Sequence, residues 1–229
     1  MLKRFFPKSR ERNTLIKGAN GKLFGNAYWT DIYRRGDDVD GSFNAREHAR
    51  YLYSLFTLLK IRVRSIIDFG FGKGILLREF SKAFVPTRIV GVDPSLPMLQ
   101  NIKSSEWIRK YNVAIIQNSI QDLDSSKLKY APFDLGICNS VLQYIPDPEF
   151  NLVAEKISHL SKYVYFTIPT DEDYKRMKRE IKFQDPYAFA RSKNFYLKKL
   201  KPFFTFVSFN VLESRIVKEQ KFEDEIFRF

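Results

Sequence analysis

The chain has 229 residues and a mass of 27.1 kDa, enough for one large domain with its own core. Apolar residues make up 44% and aromatic residues 16%, which excludes a wholly disordered chain, and no apolar run approaches the roughly 20 residues of a membrane span. The single cysteine, Cys138, excludes an internal disulfide and, with only two histidines, disfavours a zinc site, so we expect a cytoplasmic protein without a secretory signal.

The net charge of +13 is concentrated in two segments. Residues 1–22 carry seven Lys or Arg against one Glu, and residues 175–201 carry ten against two acids. A near-neutral body with two basic segments favours an anionic partner: a phosphorylated, lipid-like or carrier-bound molecule, or a nucleic acid such as RNA. A solvated surface that binds nothing is the alternative.

The first 60 residues are predicted to form a basic arm and a helical lid, and residues 61–229 the main domain. Residues 1–22 show little apolar periodicity, and the stretch RRGDDVDGS at 34–42 is typical of a polar loop. Apolar residues at spacings of three and four then predict a helix over 44–60. These residues are Ala45, Ala49, Leu52, Phe56 and Leu59.

The main domain alternates short apolar runs with helical patterns. Such alternation predicts a parallel sheet covered by helices on both faces. The predicted strands are 65–68, 88–93, 112–117, 133–139 and 163–168, and the predicted helices are 74–84, 95–104 and 149–161. Alternating residues at 203–213 and 224–229 predict two late strands that pair antiparallel, and the aromatic residues of 187–200 can seat a helix on the sheet.

The informative motif is DFGFGKG at residues 68–74, where a strand ends, three glycines alternate and a helix begins. Glycines in such a turn permit positive φ and let a ligand approach the backbone closely. Asp93 follows at the end of the second predicted strand, 23 residues after Gly70. A carboxylate there can accept hydrogen bonds from a ribose diol, and capping of the next helix through Ser95 is the alternative.

The glycine spacing disfavours a nicotinamide dinucleotide, because a G-x-G-x-x-G turn counted from Gly70 needs glycine at the position of Ile75. With D-x-G-x-G-x-G followed by an acid after the second strand, residues 64–168 resemble the class I S-adenosylmethionine-dependent methyltransferases. The resemblance implies an α/β fold with a doubly wound, mostly parallel seven-stranded sheet, helices on both faces and a C-terminal antiparallel strand pair. It also implies S-adenosyl-L-methionine as the cofactor.

The same resemblance assigns cofactor contacts to the first two strand ends. Asp68 is expected at the methionine amino end, Gly70 and Gly72 along the methionine and ribose, and Asp93 at the ribose hydroxyls. Pro94 is expected beside the adenine.

Further contacts implied by the resemblance follow the second and third strands. Met98 is expected to flank the adenine together with Pro94. Ser119 stands where the family commonly has Asp, which weakens the contact to the adenine amine, whereas Ile120 keeps its backbone N–H available.

The segment NSVLQYIPD at 139–147 follows the fourth strand, and its first residue, Asn139, is counted among the cofactor-binding residues. It resembles the corresponding segment of small-molecule and lipid methyltransferases of the ubiquinone-biosynthesis type. It does not resemble the Asn-Pro-Pro-Tyr segment of enzymes that methylate amino nitrogens of bases and glutamine.

Methyl transfer needs an aligned nucleophile and the exclusion of water more than it needs a dedicated base. Residues that can take a proton from an acceptor are also candidates, although each can equally serve packing. Cys138 is expected in the core, and His159 on the surface. The catalytic candidates are His48 and Tyr144, with Tyr28, Tyr33 and Tyr174 as further tyrosines near the mouth of the pocket.

Three functions stay open on the sequence. The first is methyl transfer to a small-molecule or lipid-like acceptor, anionic or carrier-bound. The second is methylation of RNA or protein, with segments 1–22 and 175–201 as docking surfaces. The third is binding of the cofactor without catalysis by a regulatory protein, which the departure at Ser119 keeps open; a dehydrogenase is disfavoured.

Overall fold

A computed structural model describes residues 17–24, residue 28 and residues 44–217. Residues 1–16 of the arm, Tyr33, the loop at 34–42 and the strand predicted at 224–229 lie outside the described residues.

Seven strands of the described chain form one sheet in the order β3-β2-β1-β4-β5-β7-β6. Strands β1 to β5 pair in parallel, and β7 pairs antiparallel with both β5 and β6. The seven-stranded, mostly parallel sheet with an antiparallel edge is therefore confirmed. The elements are α1 (Ala45–Leu58), β1 (Ser65–Phe69), α2 (Ile75–Phe84), β2 (Arg88–Asp93), α3 (Leu96–Lys103), α4 (Glu106–Lys110), β3 (Ala114–Gln117), β4 (Phe133–Asn139), α5 (Asp147–Leu160), β5 (Ser161–Thr167), α6 (Asp171–Ile181), α7 (Lys193–Leu200), β6 (Phe204–Ser208) and β7 (Val211–Ser214).

The sheet is covered on both faces, which explains why its central strands are continuously apolar. Ile66 of β1 packs into a core with helices α1 to α4, whereas the next residue, Ile67, packs into a second core with α5 and α7. Both side chains are fully buried. Neighbouring residues of one strand thus stabilise opposite layers of the domain.

The chain reverses its winding between β1 and β4, which are neighbours although β2 and β3 intervene in sequence. In an open parallel sheet such a switch leaves a crevice outside the carboxyl ends of the strands. The loops that follow β1, β2, β3 and β4 all begin at this crevice, and the site described below lies there.

The antiparallel pair at the sheet edge is real, but one strand boundary was wrong. The run at 203–213 is not one strand: it contains both β6 and β7, joined by a turn at Phe209 and Asn210. Asn210 adopts positive φ, a conformation that asparagine tolerates in tight turns. The apolar alternation continues across this turn, so periodicity alone could not separate the two strands.

Other boundaries also differ from the sequence predictions. The helix expected at 95–104 is followed by a second short helix, α4, after Ser105. Helix α7 begins only at Lys193, because Ser192 caps it by accepting from the N–H of Phe195 at 3.2 Å. Helix α6 was not predicted, since none of its residues is buried and its apolar stripe is short. No helix within the described ranges combines the length and the apolarity that crossing a membrane requires.

Candidate active site

A cavity opens at the carboxyl ends of β1 to β4, where the topology leaves the crevice. The space within it amounts to about 820 Å³, a figure that includes solvent at its open side. Its wall comes from the loops after these four strands and from the N-terminal segment. The lining residues are Phe24, Tyr28, Gly70, Gly72, Val92, Asp93, Pro94, Asn118, Ser119, Ile120, Gln121, Asn139, Ser140, Val141, Tyr144 and Ile145.

The glycine turn after β1 has the geometry that only glycine adopts easily. Gly70 and Gly74 have φ of 81° and 68°. A Cβ placed on Gly70 would lie 2.6 Å from a methyl group of Val141, which belongs to the loop after β4. The turn therefore brings its backbone against the opposite wall of the cavity.

Asp93 lies at the floor of the cavity with its carboxylate oriented by two backbone groups. Its Oδ2 accepts from the N–H of Gly72 at 2.9 Å, and its Oδ1 accepts from the N–H of Ser95 at 2.8 Å. The side chain is buried, and a carboxylate oxygen can accept more than one hydrogen bond. Asp93 thus joins the glycine turn to the start of α3, and the two alternatives for it, ribose binding and helix capping, are compatible.

The loop after β3 forms the wall beside Asp93. The hydroxyl of Ser119 donates to Asp122 at 2.9 Å, and the N–H of Asp122 donates back to the Ser119 oxygen at 3.1 Å. Serine thus organises this loop where the family commonly has Asp. Ile120 is buried and lines the cavity.

The loop after β4 is held in place by Arg191, which the sequence showed only as one charge in a basic segment. The residue is 7% exposed, and its guanidinium donates to the carbonyls of Leu142 (3.3 Å) and Ile145 (2.6 Å) and to the carboxylate of Asp147 (2.8 Å from Nε). It also lies 4.8 Å from the ring centre of Phe189. Arg191 therefore fixes one wall of the cavity.

The mouth of the cavity is covered by aromatic side chains from three parts of the chain. Phe24 packs edge-on against Tyr28 and Tyr144. The ring of Tyr187 packs against Phe24 at 5.1 Å and against Tyr28 at 4.7 Å between ring centres. The N–H of Ala19 donates to the Tyr187 carbonyl at 2.8 Å. The N-terminal segment is thereby docked on the loop that follows α6, next to the cavity.

A hydrogen-bonded series runs from the mouth into the protein. The hydroxyl of Tyr28 donates to that of Tyr144 at 2.8 Å, and Tyr144 donates to Asp185 at 2.7 Å. Burial, reinforced by its two neighbours, raises the pKa of Tyr144 well above the ordinary value. Burial also raises the pKa of the Asp185 carboxyl, although its bonds from Tyr144 and from the N–H of Tyr187 oppose this.

The structure brings together seven of the nine residues expected to bind the cofactor. Two do not reach the cavity wall. Asp68 is buried beneath the turn, and Met98 is buried in α3 with its N–H directed to the hydroxyl of Ser95. The seven that line the cavity are Gly70, Gly72, Asp93, Pro94, Ser119, Ile120 and Asn139.

The catalytic candidates separate into two groups. Tyr144 and Tyr28 line the cavity, whereas His48 does not: its ring hydrogen-bonds the hydroxyl of Tyr165, and burial lowers its pKa. Tyr174 of α6 lies outside the wall, close enough to Asp185 for their charges to interact.

The two residues expected to be structural occupy such positions. Cys138 is buried in β4, and burial raises the pKa of its thiol. His159 is exposed on α5, with its ring nitrogen 3.9 Å from Glu155.

The second basic segment splits between the two edges of the sheet. Helix α6 begins just after β5 ends, at the cavity edge, and its Lys175 and Lys178 are exposed. Strand β6 runs in the same direction as β5, so it begins at the opposite side of the sheet, where the amino ends of the parallel strands lie. Lys198 and Lys201 come just before β6 and are exposed on that side. Only the first half of the segment therefore lies toward the cavity.

Comparison with known proteins agrees with this geometry. Residues 66–162 match the family model described as a methyltransferase domain. The malonyl-[acyl-carrier protein] O-methyltransferase of Legionella pneumophila is 30% identical over 117 residues, which cover 50% of this chain and 37% of that protein. The enzyme of the same name from Halalkalibacterium halodurans is 34% identical over 85 residues, covering 37% of this chain and 31% of that protein. The chain thus spans about a third of the length of these curated relatives.

A solved structure shares the fold. The plantazolicin methyltransferase BpumL, crystallised with a desmethylPZN analogue and S-adenosylhomocysteine (SAH), superposes with a TM-score of 0.60 at 14% identity, covering 79% of this chain and 73% of that one. The buried carboxylate of Asp93, beside the glycine turn, is the group of this cavity that can accept from the diol of such a nucleoside. Residues 66–162 of the chain therefore correspond to a methyltransferase domain, for which S-adenosyl-L-methionine is the indicated cofactor.

Proposed function

We propose that this protein transfers a methyl group to a small acceptor held on an acidic carrier protein. The observation that carries the proposal is the position of the basic helix α6, which begins at the edge of the cofactor cavity. The two curated relatives support it, since both are named for an acceptor on acyl-carrier protein.

S-adenosyl-L-methionine supplies an electrophilic methyl group when bound. In our proposal Asp93 holds the ribose, and the glycine turn at 70–74 lies under the methionine end. The loop at 139–145 forms the wall between the cofactor and the acceptor, and the aromatic residues of the mouth exclude water. Alignment of the two reactants in a closed cavity is the main requirement of an in-line displacement.

The N-terminal residues belong to the proposed covering element. We propose that residues 1–60 form an N-terminal unit distinct from the main domain at 61–229, and that the segment around Tyr28 acts as a lid. Helix α1 itself packs with its apolar face against the sheet and α2, so the lid would consist of the residues before it.

Helix α6 has the properties of a docking element for an acidic partner. Thr170 begins it through a capping box with Asp173, which places acidic residues in its first turn. Beyond that turn it carries exposed Lys175, Arg176, Lys178 and Arg179, and no residue of the helix is buried. A basic surface that no other part of the described chain covers can attract an acidic carrier toward the cavity.

Charge reversal on α6 tests this proposal. We expect the double variant Lys175→Glu/Lys178→Glu to bind malonyl-loaded acyl-carrier protein at least about tenfold more weakly at low salt, as measured by surface plasmon resonance. The matched control reverses Lys198 and Lys201 at the opposite edge, and it should bind normally.

Two outcomes contradict the docking proposal. The first is equal loss of carrier binding in both double variants, which would indicate a general charge effect. The second is absence of carrier binding together with salt-sensitive RNA binding that depends on Lys175 and Lys178, which would favour RNA methylation instead.

A further inference from the structure

We propose that the protein lies on the surface of an anionic membrane through the face opposite the cavity, with basic side chains against the lipid phosphates and exposed apolar side chains inserted between them. This face, which we call the amino-end face, is formed by the turns that lead into the parallel strands and into β6, and by the end of β7. It consists of residues 58–64, 85–88, 129–130, 162, 198–201 and 215. The inference goes beyond the proposed function, which assigns no partner to this surface.

The fold collects on this face basic residues that are scattered along the sequence. Strands β1 to β5 run in parallel and β6 runs with β5, so the residues that precede these strands lie on the same side of the sheet. Neighbouring turns meet there, since the N–H of Thr87 donates to the carbonyl of Arg64 at 2.9 Å. The guanidinium of Arg88 likewise donates to the carbonyl of Tyr130 at 2.7 Å. The exposed basic residues of the face are Lys60, Arg62, Arg64, Lys129, Lys198, Lys201 and Arg215.

The positive charge of this face is extended. Asp134, an acid on this side of the sheet, is engaged by the fold, because its Oδ2 accepts from two backbone N–H groups and its Oδ1 lies 3.4 Å from Nζ of Lys162. From β2 to β6 the sheet has five strand spacings of about 4.8 Å, so the face is about 24 Å wide. A basic surface of this width suits an extended anion, such as a lipid surface or a polynucleotide, better than a single small anion.

Apolar side chains on the same face favour a membrane over a polynucleotide. Leu58 at the end of α1 is 78% exposed, Val85 after α2 is 69% exposed, and Tyr130 before β4 is 85% exposed. A lipid surface accepts both kinds of group, because its phosphates attract Lys and Arg while apolar side chains enter the boundary between headgroups and acyl chains. A nucleic acid gains from the charges and from an aromatic ring, but it offers little to an exposed Leu or Val.

The backbone at two of these apolar residues indicates that folding alone does not explain them. Val85 and Tyr130 have φ of 46° and 63°, in the left-handed region that suits glycine or asparagine and that β-branched or bulky residues rarely adopt. Their side chains are exposed, so they gain little burial in return. Such a conflict between a residue and its conformation is typical of functional positions.

Attachment through this face leaves the cavity accessible. The cavity lies at the carboxyl ends of the strands and the amino-end face lies at their other ends, so the mouth and the start of α6 point away from the membrane. A carrier protein can then approach α6 from the aqueous side. The two basic surfaces of the protein thus serve two different anionic partners.

Vesicle sedimentation tests the proposal. The full chain is mixed with vesicles of phosphatidylcholine, either alone or with about 30% phosphatidylglycerol, and the bound fraction is measured at low and at high salt. We expect binding to the anionic vesicles, release from them as the salt concentration is raised, and little binding to the neutral ones. No binding to the anionic vesicles at low salt overturns the proposal, and salt-sensitive binding of single-stranded RNA in its place would favour a nucleic acid partner.

Two double variants with the same change in net charge locate the surface. Lys198→Glu/Lys201→Glu should bind anionic vesicles at least about tenfold more weakly, because it reverses two charges of the amino-end face. Lys175→Glu/Lys178→Glu should bind the vesicles normally, although the proposed function predicts that it loses the carrier. Equal losses of vesicle binding in the two variants, or the opposite pattern, overturn the membrane face and leave the carrier test unaffected.

Asparagine at the two left-handed positions separates a membrane role from a structural one. Asparagine tolerates positive φ, so Val85→Asn/Tyr130→Asn should keep the melting temperature of the protein or raise it. We expect this variant to bind anionic vesicles at least about fivefold more weakly, because it removes two inserted side chains. Unchanged vesicle binding overturns the proposed insertion. If the variant does not fold, Leu58→Asn, at an exposed position of α1, takes its place.

Discussion

Replacement of Asp93 by alanine separates cofactor recognition from simple folding stability. In the structure this carboxylate accepts one backbone N–H on each oxygen, from Gly72 and Ser95. In our proposal the same carboxylate also accepts from the two ribose hydroxyls. Hydrogen bonds to a charged group contribute about 1.5–3 kcal/mol each, so losing two costs about 3 kcal/mol or more.

That loss corresponds to about a 100-fold rise in the Kd for SAH, which isothermal titration calorimetry measures directly. The variant also leaves two buried N–H groups without their acceptor, at about 1–3 kcal/mol each in the free energy of unfolding. The titration is therefore performed well below the melting temperature, and the folded fraction is checked by circular dichroism.

A matched control exists near the amino end of β4, on the side of the sheet away from the cavity. Asp134 is the second residue of β4, and its Oδ2 accepts from the N–H groups of Arg64 (2.9 Å) and Ser65 (3.1 Å). Asp134→Ala removes a comparable pair of backbone bonds far from the cavity, so it should lower stability and leave SAH affinity unchanged. Equal SAH affinity in the Asp93 and Asp134 variants would refute the placement of the ribose.

Three further predictions follow from the same geometry. Arg191→Met should lower the free energy of unfolding by about 2–4 kcal/mol in urea titrations, because two loop carbonyls lose a buried donor. Asp147→Ala should lower it less, since that carboxylate is exposed, and equal losses in the two variants would contradict this reasoning. Gly70→Ala should weaken SAH binding by at least about tenfold in calorimetry, because its Cβ would collide with Val141 in a positive-φ turn, and normal binding would show that the turn can shift. Cys138 should not react with a thiol reagent in the native protein and should react fully in denaturant, as followed by mass spectrometry. Rapid labelling of the native protein would mean that β4 is not buried as described.

The sequence predicted the parts of the fold and site that rest on local patterns. Apolar strands between helices gave the parallel sheet, and the glycines of 70–74 with Asp93 gave the floor of the cavity. Both depend on neighbours along the chain: a strand, a tight turn and a following helix.

Other features arise from contacts between distant segments and carry no local pattern. Asp185 and Arg191 were visible only as charges in a basic segment, although one ends the tyrosine series and the other fixes the loop after β4. Helix α6 was missed because it packs little and its sequence is mostly charged. His48 was assigned to the mouth of the pocket, but its helix faces the core beside Tyr165.

A crystal structure of the chain with SAH tests the central claim most directly. We expect the ribose hydroxyls within hydrogen-bonding distance of Asp93, the methionine end over the glycine turn at 70–74, and the sulfur directed toward Tyr28 and Tyr144. SAH bound elsewhere, or a ribose held by a different residue with Asp93 bonded only to the backbone, would contradict the account.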